Sequence, residues 1–192
     1  GVIDGHDINE LISVLKKAKA MKKPCLVHTQ TIKGKGYALA EGKNAKWHGV
    51  GAFDIATGEF VKKAGAKKSA TELFSQNLLN LADKHDDIVG VTAAMPNGTG
   101  LDALMEKYPH RFWDVAIAEQ HAVTSMAAMA KEGFKPFIAI YSTFLQRSYD
   151  ELLHDCARKG VSMTLLIDRA GLPGKDGETH AGIYDVAFLK SI

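Results

Sequence analysis

The chain has 192 residues, is 46% hydrophobic and 24% charged, and carries a formal net charge of +2. Such a composition is globular, with room for one domain or for one domain and a piece of another. The thinly spread lysines exclude a nucleic-acid surface, no apolar run approaches the roughly 20 residues of a membrane span, and no signal-peptide pattern opens the chain.

Gly1-Val2-Ile3-Asp4-Gly5 lacks an initiator Met and reads as the interior of a longer chain. Ile8, Leu11, Ile12, Leu15 and Ala18 recur at helical spacing, which predicts a helix over Asp7 to Lys19 with Asp7 as its N-cap. Pro24 ends it, and "CLVHTQT" is expected as a buried strand. Cys25 and the distant Cys156 belong to no C-x-x-C pattern. They argue against a disulfide scaffold or a zinc site and for a reducing, cytoplasmic compartment. "IKGKGYALAEGKNAKWHGVGAF" follows as a loop. Residues Asp54 to Lys68 are rich in Gly, Ala and Lys without periodicity, which predicts an exposed linker.

The pattern restarts at Ser69. "SATELFSQNLLNLADKH" is an amphipathic helix opened by a capping box, Ser69 with Glu72 three residues on. In order come a strand "DIVGVTAAM", a turn "PNGTG", a short helix "LDALMEKYP", a strand "FWDVAIA" and a helix "EQHAVTSMAAMAKEG" with Gly133 as its C′ residue. A strand "KPFIAIY", a helix "TFLQRSYDELLHDCARKG", a strand "SMTLLID" and the start of a helix in "IYDVAFLKSI" complete the chain. Continuous apolar strands alternating with helices predict an α/β fold, a parallel sheet flanked by helices and buried on both faces. Such sheets carry function at the carboxyl ends of their strands. The residues there are Thr92 to Met95, Ala118-Glu119, Tyr141 to Phe144 and Asp168-Arg169.

Glu119 stands where strand passes into helix inside "VAIAEQHAV", a place where burial of charge is costly. A helix N-terminus alone accounts for a carboxylate there; an acid at the floor of a pocket would instead hold a hydrogen bond to a bound heterocycle. "DRAGLPGKDGETHAG" is a long loop carrying Arg169, Asp176 and His180. It is either a charged surface loop or a functional one, with an Arg fit to clamp phosphate and a His–Asp pair fit for proton transfer. Phe144 fits plain core, and Arg147 fits a surface pair with Asp150 or Glu151. Lys33 after a strand fits a phosphate contact or a solvated side chain, and His48 in its loop fits a surface histidine; "KGKGY" has neither P-loop nor dinucleotide spacing. H-E-x-x-H, paired-carboxylate metal and G-x-S-x-G motifs are absent from the sequence.

Taken together and in this order, "IDGHDINELI", "DVAIAEQHAV", "AIYSTFLQRSYD" and "IDRAGLPGKDGETHAGIYD" resemble the 1-deoxy-D-xylulose-5-phosphate synthases, thiamine-diphosphate enzymes of the transketolase-like group. The likeness runs essentially end to end, and T-H-x-G with F-L-Q-R favours these synthases over transketolase. It implies that residues 1–53 are the tail of a first, diphosphate-binding domain, 54–68 a linker, and 69–192 most of a pyrimidine-binding domain. A third domain and the upstream G-D-G…N motif that anchors Mg2+ and diphosphate are lacking, so no metal ligand is expected in this chain.

The resemblance also implies roles. Glu119 corresponds to the glutamate bonded to the aminopyrimidine ring, favouring the imino tautomer that deprotonates the thiazolium. Phe144 packs on that ring, Arg147 neighbours it, Met95 lies near the thiazolium, and Lys33 contacts cofactor from the first domain. Tyr141 and Arg169 face the sugar phosphate. His180 with Asp176, and His48 from the first domain, stand near the reacting carbons. The implied reaction joins pyruvate to glyceraldehyde 3-phosphate with loss of carbon dioxide, in a homodimeric parent without nucleic-acid or membrane partners. Transketolase, or the β subunit of a 2-oxo acid dehydrogenase, is the competing enzyme reading. A catalytically dead, self-associating fragment is the competing reading of another class.

Overall fold

A computed structural model describes residues 1–42, 47–61, 65, 67–174 and 176–192. The chain forms two compact units, Gly1–Ala66 and Lys67–Ile192.

In the first unit, β1 (Ile3–Asp4) pairs in parallel with β2 (Thr29–Gln30), and α1 (Ile8–Ala20) lies between them in sequence. Asp7 caps α1 as expected, its carboxylate accepting from the Asn9 and Glu10 amides. No α1 residue is buried, and Ile8, Ile12 and Leu15 stand exposed. The buried strand expected from Cys25 does not form. Residues 25–28 pair with nothing as a strand, Leu26 is 96% exposed, and the two-residue β2 is exposed throughout. An apolar triplet specifies a strand only where a second layer covers it, and among the described residues none does so. Tyr37, Trp47, Phe53 and Phe60 form a small aromatic cluster. It includes the start of the expected linker. Asp54 Oδ1 accepts from the Ala56 and Thr57 amides, and the chain folds back to bridge Phe53 with Phe60.

The second unit holds the core. α2 (Ala70–Ala82) begins with the expected capping box, Ser69 with Glu72. β3 (Ile88–Thr92), α3 (Pro96–Thr99), α4 (Asp102–Lys107), β4 (Phe112–Asp114), α5 (Glu119–Lys131) and β5 (Lys135–Tyr141) follow. Gly133 ends the α5 turn at φ 92°, the left-handed conformation that favours glycine. Among the described residues the larger sheet runs β4-β3-β5-β6, all parallel, with β6 at Thr164–Asp168.

Alternate residues of β3 and β5 face opposite layers, as the two-residue period of a strand requires. Val89, Val91, Ile138 and Ile140 pack on Ala122, Val123 and Met126 of α5. Ile88 and Ala139 pack on Leu78 and Ala82 of α2 and Leu101 and Leu104 near α4. Each fully buried Leu, Ile or Val contributes about 1.5–3 kcal/mol.

Two elements depart from the simple pattern. β4 stops at Asp114, and the next four residues leave the sheet in a turn with Ala116 at φ 58°. The single helix expected after β5 is a succession: α6 (Ser142–Leu145), a 3₁₀ turn (Gln146–Ser148), α7 (Tyr149–Glu151), a π-helical stretch (Leu152–Cys156) and a second 3₁₀ turn (Ala157–Lys159). The π stretch holds Asp155, which accepts from Thr124 Oγ1 of α5 at 2.6 Å. A tie between helices of this kind accompanies the local unwinding. The chain closes with α8 (Asp185–Leu189).

Candidate active site

The carboxyl edge of the sheet is held by Asp114. Its Oδ1 accepts from the Ala94 amide at 2.6 Å and the Ala116 amide at 2.9 Å. Ala94 and Ala116 both take the left-handed conformation, φ 61° and 58°. The first turn leads to Met95, the second to Glu119. Asp114 escaped the sequence reading, although an Asp closing a strand before a turn is the usual side-chain acceptor for turn amides.

Glu119 is the first residue of α5 and is 2% exposed. Its Oε2 lies 3.1 Å from Arg147 Nη1. That contact is an ion pair without hydrogen-bond geometry, and Oε2 accepts no hydrogen bond among the described residues. The charge is supported by the helix N-terminus and by the guanidinium, while one buried oxygen keeps an unused acceptor. Arg147 thus pairs with Glu119 rather than with Asp150 or Glu151, the partners its local spacing allows.

Tyr141 ends β5 and Phe144 lies in α6; their rings stack 6.2 Å apart at 18°. His180 stands edge-on to both, 5.5 Å from Phe144 and 6.2 Å from Tyr141. Arg169 lies over the Tyr141 ring at 4.5 Å. Its Nη1 donates to Asp168 at 3.0 Å and to the Gly98 carbonyl at 3.2 Å, and its Nε donates to Asp176 at 2.9 Å. Thr71 Oγ1 in turn donates to Asp168 Oδ2 at 3.0 Å. Burial pushes the Tyr141 hydroxyl above its ordinary pKa, with the Arg169 guanidinium opposing. Gly98 is required here, because a Cβ at that position would overlap the Tyr141 hydroxyl. Met95 is buried in the core cluster against which Tyr141 and Phe144 pack.

The structure therefore brings Glu119 to Arg147, and Tyr141, Phe144, Arg169, Asp176 and His180 into one group. The acid–base pair expected of Asp176 and His180 is not formed. Asp176 is taken up by Arg169, and His180 Nδ1 lies 3.0 Å from Thr179 Oγ1. A guanidinium offers the carboxylate a charge-assisted bond in a fixed geometry. In the first unit, Lys33 Nζ and His48 Nδ1 lie 2.9 Å apart, so His48 accepts there through Nδ1. A cleft of about 630 Å³ opens beside Arg169, lined also by Thr71, Gln76, Leu79, Gly98 and Asp102. Glu119, Phe144 and His180 do not line it, so the cleft meets this group at Arg169 alone. Among the described residues, no three His, Cys, Asp or Glu side chains are grouped to hold a metal ion.

Residues 66–192 match the family model described as transketolase, pyrimidine binding domain, and residues 1–31 match that described as 1-deoxy-D-xylulose-5-phosphate synthase. Similar curated proteins include the 1-deoxy-D-xylulose-5-phosphate synthase of Campylobacter jejuni subsp. jejuni, 74% identical over 98% of this chain and 31% of the relative. Those of Campylobacter hominis and Aliarcobacter butzleri are 63% and 62% identical over the whole chain, covering 31% and 32% of the relative. The chain thus spans about a third of the length of these relatives. Among solved structures, a split-gene transketolase described as an inactive β4 tetramer superposes with a TM-score of 0.54 at 22% identity, over 63% of this chain and 39% of that one. At that identity the likeness speaks for the fold alone.

Proposed function

The chain belongs to the transketolase pyrimidine-binding family, and from that premise we propose that it is the pyrimidine-side segment of a 1-deoxy-D-xylulose-5-phosphate synthase. The reaction is the decarboxylating condensation of pyruvate with glyceraldehyde 3-phosphate. It takes place in a longer, cytoplasmic, homodimeric polypeptide, and this segment is inactive alone. The identities of 62–74% to synthases support the reading, and the buried, unused acceptor on Glu119 carries it.

The residues present fit an aminopyrimidine. Glu119 Oε2 is an oxygen without a hydrogen bond in a dry position, and exclusion of water strengthens a bond from a ring N–H to such an acceptor. Phe144, three residues before Arg147, stacks with Tyr141 to offer aromatic surface. Thiamine diphosphate, when bound, supplies the carbon nucleophile of the reaction. Every other contribution belongs to side chains. Glu119 holds the ring proton, and Arg147 keeps the acid's charge compensated. Met95 contributes apolar wall. Arg169, aided by Tyr141, is the cation for a substrate phosphate, a task that requires Asp176 to yield Nε. His180 faces the aromatic pair as a hydrogen-bond donor or acceptor near the reacting carbons. Lys33 and His48, 2.9 Å apart within the first unit, are the residues there to which the resemblance gives roles. The ligands of Mg2+ and of the diphosphate are expected on the longer polypeptide, outside this segment.

The experiment is a product assay on the full-length polypeptide with pyruvate and glyceraldehyde 3-phosphate, run beside the same assay with two sugar phosphates. Glu119→Ala is expected to lower kcat by about 10²–10⁴-fold with an unchanged circular-dichroism spectrum, and the 192-residue chain alone to give no turnover. Near-parental turnover in the variant sinks the role of the acid. Product from sugar phosphates alone turns the reading to transketolase.

A further inference from the structure

The loop that carries Asp176 and His180 leaves β6 at Arg169 and rejoins regular structure at α8. Its two ends are tied together: Gly171 donates to the Gly182 carbonyl at 2.9 Å, and Gly182 donates to the Gly171 carbonyl at 2.7 Å. Beneath this closure sit two polar side chains that the proposed chemistry does not use. Ser142, the residue after Tyr141, is 1% exposed, and Asp185, the first residue of α8, is 8% exposed. Ser142 Oγ donates to Asp185 Oδ1 across 43 positions of sequence. Gly182 lies directly on this pair, for a Cβ there would overlap Ser142 Oγ and crowd the Arg169 carbonyl, 2.9 Å away.

A buried carboxylate is costly unless its hydrogen bonds are made, so the arrangement is strongly directional. It joins two elements that both carry site residues. Ser142 sits between Tyr141 and Phe144 at the end of β5, and Asp185 follows the loop of His180. We propose that Ser142, Gly182 and Asp185 form a buried clasp that positions the His180 ring against Tyr141 and Phe144. The clasp residues act through the side chains they hold. They are positioning residues for the site, and their importance to catalysis rests on the functional reading above.

The test needs neither cofactor nor substrate, so failure of the functional reading would leave its result standing. His180 C–H resonances, assigned by His180→Gln, report the ring currents of Phe144 and Tyr141 in the 192-residue chain. Amide exchange by mass spectrometry reports closure of the loop. In Ser142→Ala and Asp185→Ala the His180 signals are expected to move to free-histidine positions. Amides of 171–182 should exchange about tenfold faster, the order set by one lost hydrogen bond, while β3 and α5 amides keep their protection. Asp185→Asn retains Oδ1 as acceptor and should restore both readouts. Unmoved His180 signals in Ser142→Ala, or an Asp185→Asn as perturbed as Asp185→Ala, would overturn the clasp. Should Asp185→Ala fail to fold, Ser142→Ala, which removes one oxygen, decides the matter alone.

Discussion

Arg147 and Glu119 divide the environment unequally: the guanidinium side chain is 44% exposed, the carboxylate side chain 2%. Removing the cation leaves a buried acid uncompensated, and breaking a buried pair costs 3–5 kcal/mol when both partners are dry. Solvent screens this half-exposed guanidinium, so Arg147→Met is expected to destabilise the second unit by about 1–3 kcal/mol, read from urea unfolding. Glu119→Gln placed on that background should recover most of the loss, because the charge that needed a partner is gone. A double variant no more stable than Arg147→Met would show that the pair does not carry the effect. Neither partner announces the other in sequence, since local spacing offers Arg147 two nearer acids. The position of Glu119, at the junction of an apolar run and a helix, was legible. Its ion pair, the claim of Arg169 on Asp176, and the Ser142–Asp185 bond depend on tertiary approach, which no local period encodes.

Elements show the same division. α2 with its capping box, α5 with its terminal glycine and the apolar strands β3 and β5 follow from spacing, caps and runs of the kind a local reading detects. The segment 142–159 has helical spacing yet alternates α, 3₁₀ and π turns, and its π stretch is tied to α5 through Thr124 and Asp155. The strand expected at Cys25 needed a covering layer. A tight packing constraint within the sheet lies at Gly90 of β3. A Cβ there would stand 2.7 Å from the Phe112 ring and 3.3 Å from the Phe137 carbonyl. Gly90→Ala therefore forces β3 and β4 apart. It is expected to cost about 1–3 kcal/mol as overpacking, measured as a lower unfolding midpoint. Gly90→Ala combined with Phe112→Leu should regain part of it. A Gly90→Ala chain as stable as the parent would mean that the ring moves freely.

At the scale of the molecule, buried apolar side chains are shared unevenly. Among the described residues the first unit buries Ile3 and Ala40, while both core clusters lie wholly in the second. Sixty-odd residues bury too small a fraction of surface to be stable without a sizeable core. Residues 67–192 expressed alone are expected to unfold cooperatively with the native circular-dichroism signature, and residues 1–66 alone to show no cooperative transition. The reverse result would place the stabilising core elsewhere. Asp114 sets a further condition on the whole assembly. Since one carboxylate receives the amides of both Ala94 and Ala116, the two turns that lead to Met95 and to Glu119 are ganged. Any substitution at this position would release both turns together, so the spacing of Met95 from Glu119 hangs on a single side chain.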